Sequence, residues 1–574
     1  MKKKIMKRLA AAGLSIITLL GMSATVFADE NTSTPTPGEK YAGDSAVLKS
    51  DGGSNFANIT VNNLGKSGSK YDEAKAYKVV NITYDPSSNN VTYEWATDAI
   101  KAAADAVIDT DNKIDNFTVK DFVDAYEEKT DNKAKADCAD HVYSEILKVI
   151  SQDTGSWIAS ENNNDGTAIF RGVNMGQYIV KVVGNDVYQA MTATLEPVKG
   201  NADKGQDPDK YWLHSVVLNV KHSNPTLTKN IVANNKDKKI TTVTIGDDVT
   251  YKVDVTAPEF PEYGANKTFK VEDKANDGLI GIKDLEVLVD GTKLDNTYYD
   301  VIYKDKNGNV TTPENATQYE IDFKMDKVKD VLGTDKKITI KYDSEVTTDF
   351  VSKGDSADAT LFWPKDVWVN ANDLNTLTEG VRVYTFGIDG LKFEKGNESK
   401  GLKGAEFKLY ESQNGGNALK FKAVDDSDGI RKYVVSKASD ATETIKASDN
   451  GKFYIYGLGA DSDADGDVIA KTYYLEETKV PTGYTLLTER QAVTINPTVN
   501  DKKTEITTVE TPSENDKLAN HVYYTVAKVA NVKGFTLPKT GDTAMFFMSI
   551  AGVVIALLGI AYFVISRRKY SKEN

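Results

Sequence analysis

The sequence predicts a mainly β chain in which immunoglobulin-like β-sandwiches follow an α+β first domain, with an apolar segment at each end. From about residue 225 onward, β-branched and aromatic residues alternate with polar ones in short runs, as at 249–255 (VTYKVDV), 337–342 (KITIKY) and 381–386 (VRVYTF). A period of two buries one face of a strand, and closely spaced strands separated by Gly, Asn and Asp read as a sandwich. Earlier in the chain, 76–84 alternates in the same way, whereas 95–108 and 119–150 carry helical spacing, which makes the first domain α+β. Between the end segments lie about 510 residues, and at about 100 to 200 residues per domain three domains fit. The expected divisions are a tether at 29–50, a first domain at 51–224, a middle sandwich at 225–387 and a third sandwich at 388–536.

The two ends have distinct chemistry. Lys2, Lys3, Lys4, Lys7 and Arg8 precede an apolar stretch at 9–22, and Val26-Phe27-Ala28 offers small residues for signal peptidase, so 1–28 reads as a signal peptide. At the other end, residues 545–565 are long enough to cross a roughly 30 Å hydrocarbon core as a helix. Arg567, Arg568 and Lys569 follow in a short tail, 566–574, that positive charge holds in the cytoplasm. Just before the span stand Leu537, Pro538, Lys539, Thr540 and Gly541. That order resembles the LPXTG cell-wall sorting signal of Gram-positive bacteria. The resemblance implies that a sortase cleaves between Thr540 and Gly541 and passes the Thr540 carbonyl to an amine, leaving the chain secreted and anchored to the cell wall.

Composition narrows the function. The net charge is -14, and a phosphate backbone demands clustered Lys and Arg, so nucleic acid is not expected as a partner. One cysteine, Cys138, leaves the chain without an internal disulfide. With four His, no HExxH and no CxxC, the sequence shows no metal-enzyme motif, and no nucleophile, base and orienting group come together in it. No cofactor is expected, and an enzyme is not the expected reading.

The third domain carries a second resemblance. Leu391-Lys392-Phe393-Glu394-Lys395 with Leu402-Lys403-Gly404-Ala405-Glu406-Phe407-Lys408-Leu409-Tyr410 resembles the opening strands of the B-type repeats of collagen adhesin (Cna), a module shared by Gram-positive pilins. The stretch at 473–484, YYLEETKVPTGY, is similar to the pilin E-box YxLxETxAPxGY, with Val480 in the place of Ala. The family implies an isopeptide bond between Lys392 and Asn531, with the E-box Glu477 as its catalyst. Burial lowers the pKa of an amine, which makes it a nucleophile, and a neighbouring carboxyl can relay its proton to departing ammonia.

The middle domain resembles the isopeptide-forming middle domain of pilins through 225–231, 249–255 and 269–280, and Lys229 and Asp273 match the family's amine and catalytic carboxyl. The family's acceptor Asn is missing from 354–361, which leaves Asp358, Asn370 or Asn372 as alternatives. At the close of the first domain, Trp212 and the run 213–220 lead to Lys221, after a 176–180 segment similar to the GYYLV of pilins. Position makes Lys221 the pilin-motif lysine, although Asn219-Val220-Lys221-His222 replaces YPKN.

These resemblances imply a sortase-polymerised major pilin, a shaft subunit of a Gram-positive fimbrium in which Thr540 of one copy joins Lys221 of another. Expected partners are a pilus sortase, a housekeeping sortase, other copies, minor pilins, peptidoglycan and host surface ligands, with a role in adhesion. A monomeric wall-anchored adhesin is the alternative. Asp461, Asp463, Asp465 and Asp467 around Gly466 echo half of an EF-hand loop, yet Thr472 stands where the bidentate Glu belongs, so a solvated acidic hairpin is preferred over a Ca²⁺ site. Cys138 is expected as a buried small residue.

Overall fold

The computed structural model describes residues 45–47, 56–67, 69–108, 117–162, 165–199, 202, 207, 209–275, 278–333, 335–350, 354–370, 372–424, 428–509, 523–534 and 543–570. The expected signal peptide, most of the tether and the Leu537 to Gly541 motif lie outside the described residues. The chain divides into two compact units: one takes Met1–Lys239, Val249–Ser344 and Ser356–Val381, the other Ile240–Asp248, Glu345–Asp355 and Arg382–Asn574.

In the first unit, the strand Glu73–Asp85 pairs antiparallel with Asn90–Trp95 on one side and Gly176–Val183 on the other, with a register shift between Gln177 and Tyr178. Phe56–Asn62 alternates as its sequence dictates: Ala57, Ile59 and Val61 are buried, and the strand pairs with Ala168–Asn174 and, in parallel, with Val216–Asn219. Phe170, Tyr178, Val180, Leu195 and Leu218 join them in one apolar core.

The helices depart from expectation in two places. Trp95 ends a strand, and its neighbour helix begins only at Asp98, where the Thr97 hydroxyl accepts from the Ile100 amide at 3.2 Å. The helical spacing expected over 119–150 is interrupted, giving two helices, Val119–Glu127 and Asn132–Ile150. A capping box between Thr118 and Asp121 starts the first; Asp131, in extended conformation, starts the second by accepting from the Ala134 amide at 2.8 Å. A short polar side chain that satisfies an orphan amide restarts a helix more favourably than the chain continues through it. Cys138 is half-buried rather than buried, because Ala139 takes the core-facing position; burial still pushes its thiol up.

The same unit holds a sandwich. Thr226–Ala233 pairs with Asp248–Thr256 in one sheet, and Lys270–Ala275 lies between Gln318–Phe323 and Gly354–Pro364 in the other. Val249, Tyr251, Val253 and Val255 all point inward, as the period of two requires.

The second unit is another sandwich. Phe386–Glu394 pairs antiparallel with Lys452–Leu458 and parallel with the last strand, Tyr524–Asn531. The facing sheet contains Glu406–Tyr410, Lys471–Lys479 and Gln491–Ile495. Phe407 and Phe453 meet between the sheets with ring centroids 5.0 Å apart. Helix Thr543–Tyr570 follows, and its segment Phe547–Arg567 has mean hydropathy 2.5 with nothing covering it, which suits a membrane span.

Candidate functional site

Alternation in two strands and the end of a third brings together the first cluster. In Lys471–Lys479, Tyr473, Leu475 and Glu477 face the core while Thr472, Tyr474 and Glu476 face away. Lys392 is opposite Val529 in the parallel pair, and Asn531, two residues further, shares its face. Lys392, Glu477 and Asn531 are 0%, 3% and 0% exposed, so no water solvates a charge among them. Lys392 Nζ lies 3.0 Å from Glu477 Oε1. Asn531 Nδ2 donates to Glu477 Oε2 at 2.9 Å and to the Thr485 carbonyl at 2.8 Å. Glu477 Oε2 also accepts from the Leu487 amide at 3.1 Å.

The apolar wall around the amine includes Phe407, whose ring centroid is 5.9 Å from Nζ. Burial lowers the Lys392 pKa, with the Glu477 carboxyl opposing that shift. Lys392 Nζ and Asn531 Oδ1 are both buried without an aligned hydrogen bond. Unsatisfied buried polar atoms are rare and costly, so two in one cluster call for a chemical reason. The backbone is also fixed here: Gly451, at φ +79°, lies so close to the Lys392 carbonyl oxygen that a Cβ would come within 2.2 Å of it.

A second cluster lies in the middle sandwich. Lys229 is 0% and Asp273 2% exposed. Lys229 Nζ donates to Asp273 Oδ1 at 2.5 Å and to Tyr342 Oη at 3.3 Å, while Tyr319 Oη donates to Asp273 Oδ2 at 3.3 Å. The Tyr251 ring centroid is 4.8 Å from the ammonium. Burial lowers the Lys229 pKa against the pull of Asp273, and it raises both Tyr319 and Tyr342, which stay protonated. Asp358, Asn370 and Asn372 are all exposed, whereas Lys229 is not.

Lys221 is exposed, between Val216–Asn219 and His222–Ser223, and its carbonyl accepts from the Gln189 amide at 3.2 Å. Beside it, His222 Nδ1 is 2.6 Å from Asp186 Oδ2. The acidic loop forms a hairpin, Asp461–Ser462 against Val468–Ile469, and Asp463 Oδ1 is occupied by the amides of Asp465 and Asp467 at 3.0 and 2.8 Å.

Sequence reasoning missed Asp389, which is 2% exposed with Oδ1 unpartnered and is pushed up to about 7 by burial. It also missed Tyr319 and Tyr342. The only sequence signal for the tyrosines is that each occupies an inward position of an alternating strand.

Comparison with known proteins bears on the domain content and the architecture. Residues 389–511 match the prealbumin-like fold domain of the SpaA type, and 530–571 match the LPXTG cell wall anchor motif of Gram-positive proteins. Fimbrial subunit type 2 of Actinomyces naeslundii is 24% identical over 441 residues, covering 73% of this chain and 74% of the relative. The T6 backbone pilin of serotype M6 Streptococcus pyogenes superposes with TM-score 0.51 at 15% identity, covering 83% of this chain and 98% of that one. At that identity the superposition speaks for the architecture alone, while the two matched segments place a SpaA-type domain directly before a wall anchor. The chain thus carries a SpaA-type prealbumin-like domain followed by an LPXTG cell wall anchor motif, and it is similar in sequence to a fimbrial subunit and in architecture to a backbone pilin.

Proposed function

We propose that this chain is the repeating shaft subunit of a covalent surface fimbrium, with three domains at 51–224, 225–387 and 388–536. The observation that carries the reading is the buried Lys392, Glu477 and Asn531 cluster, whose amine and carboxamide sit on the first and last strands of the domain preceding the anchor. A chain pulled from both ends is loaded on those two strands. A covalent link between them would carry the load past the hydrogen-bonded sheet.

The link forms in one turnover. Glu477 takes a proton from the Lys392 ammonium, the freed amine attacks Asn531 Cγ, and Glu477 passes that proton to Nδ2 as the Cγ–Nδ2 bond breaks and ammonia leaves; the second proton shed by the attacking nitrogen then stays on Glu477, leaving a neutral amide. The contacts of 3.0 and 2.9 Å from the Glu477 carboxylate to the two nitrogens support this relay. Phe407 and the closed sandwich exclude the water that would otherwise hold the lysine charged.

Polymer growth uses the ends. A pilus sortase thiolate attacks the Thr540 carbonyl carbon and expels Gly541; Lys221 of another copy then attacks the thioester and releases the enzyme. Exposure of Lys221 supports this role. A housekeeping sortase transfers the last Thr540 to peptidoglycan, and minor pilins and adhesion to host surfaces complete the reading. Cells producing Lys221→Arg should show single wall-bound units where the unchanged chain gives a detergent-resistant ladder. A ladder that survives the change would refute Lys221 as the acceptor, and its absence in the unchanged strain would favour a monomeric adhesin.

A further inference from the structure

Among the described residues of the middle sandwich, Lys229 and Asp273 have an amine and a carboxyl in place without a carboxamide hydrogen-bonded to either. Asp273 is directly opposite Ala359, and the next inward position of that strand is Ala357. Both alanines are 0% exposed, so these two inward positions of that strand offer only methyl groups. Asn230 is buried but follows Lys229 in the same strand, and alternation turns it to the other face. The remaining candidates, Asp358, Asn370 and Asn372, are exposed.

What does face the Lys229 amine is the Asp273 carboxyl itself, 2.5 Å away, clamped by two phenols. We propose that Lys229 and Asp273 condense with each other, making Asp273 the acyl donor of the middle domain rather than a catalyst for another residue. The balance needs no outside reactant: ammonium plus carboxylate gives amide plus water. One amine proton passes to Asp273 Oδ1 across the existing contact. The Nζ lone pair forms the new bond to Cγ, and Tyr319 Oη, already donating to Oδ2, supports the charge that develops on that oxygen. The Cγ–Oδ1 bond then breaks; the oxygen leaves with two hydrogens as water, the second coming from the attacking nitrogen. Tyr342 Oη accepts from the same nitrogen and orients it.

Two physical arguments favour the amide over the ion pair. A fully buried ion pair carries the desolvation penalty of both charges, which a neutral amide lacks. The rings of Tyr251, Tyr319 and Tyr342 around the pair leave little access for the water that hydrolysis would require. The product would join Thr226–Ala233 to Lys270–Ala275, strands of opposite sheets, and so staple the sandwich through its core.

This inference is independent of the polymer reading and is tested on soluble monomer. The purified chain, denatured and weighed intact, should fall short of its sequence mass by one water in addition to the one ammonia lost at Asn531. Trypsin should skip Lys229, and mapping should recover a branched peptide joining Lys229 to Asp273. Lys229→Arg should restore the water and keep the ammonia deficit, and Tyr319→Phe should slow accumulation of the branched peptide at least tenfold. A linear, trypsin-cleaved Lys229 in the unchanged chain would overturn the proposal, as would a branch from Lys229 to Asp358, Asn370 or Asn372. The ammonia deficit is scored separately, so failure of the Lys392 chemistry is distinguishable from failure of this one.

Discussion

Lys392 Nζ lies 3.0 Å from the carboxylate of Glu477, and neither side chain reaches solvent. An isolated pair of this kind gains little from burial, because desolvation offsets the attraction. Its place beside the Asn531 carboxamide gives it a use that stability alone does not.

Glu477→Gln keeps the volume and removes the proton carrier. The variant should retain its full sequence mass at Lys392 and Asn531, where the proposed bond would leave the unchanged chain one ammonia short. Losing a closure that spans 392 to 531 should cost about 5 kcal/mol if the loop-entropy estimate for disulfides transfers. Intact mass and denaturant unfolding check the two effects together.

Asp389 predicts an unusual pH dependence. Its folded-state value of about 7 stands above the ordinary carboxyl range, with desolvation the main cause and Lys452 opposing it. The folded state therefore holds a proton that the unfolded chain releases, and stability falls as pH rises from about 4 to about 7. Between pH 5 and 8, Asp389 should cost the unchanged protein about 2 to 3 kcal/mol. Asp389→Asn should flatten that slope, as followed by thermal or urea unfolding across the range.

Gly390 sets a steric limit on the strand that carries Lys392. A Cβ there would come within 2.2 Å of the Phe453 ring, which is itself stacked on Phe407. Gly390→Ala should destabilise the domain by about 1 to 3 kcal/mol through overpacking. It should also slow condensation at Lys392, measured as the mass deficit against time after synthesis.

Local pattern made much of this legible. Residues 249–255 keep their period of two in the fold, and the E-box stretch places Glu477 on an inward position because alternate residues share a face. Helix breaks were harder: nothing in the spacing of 119–150 distinguishes Asp131 as a cap from a solvated Asp inside a helix. Asp389 was illegible for a related reason. It lies in a strand buried along both faces, between Tyr454 and Val526 of neighbouring strands that are distant in sequence. The contacts of Tyr319 with Asp273 and of Tyr342 with Lys229 likewise depend on pairing among strands far apart in the chain.

The central claim is that copies of this chain are joined end to end through Thr540 and Lys221. Mass spectrometry of tryptic peptides from wall-released, detergent-resistant material tests it most directly. The account predicts a branched peptide in which the Thr540 carbonyl is bonded to the Lys221 side chain. Recovery of Lys221 only in unbranched peptides, from material that still migrates as a polymer, would contradict it.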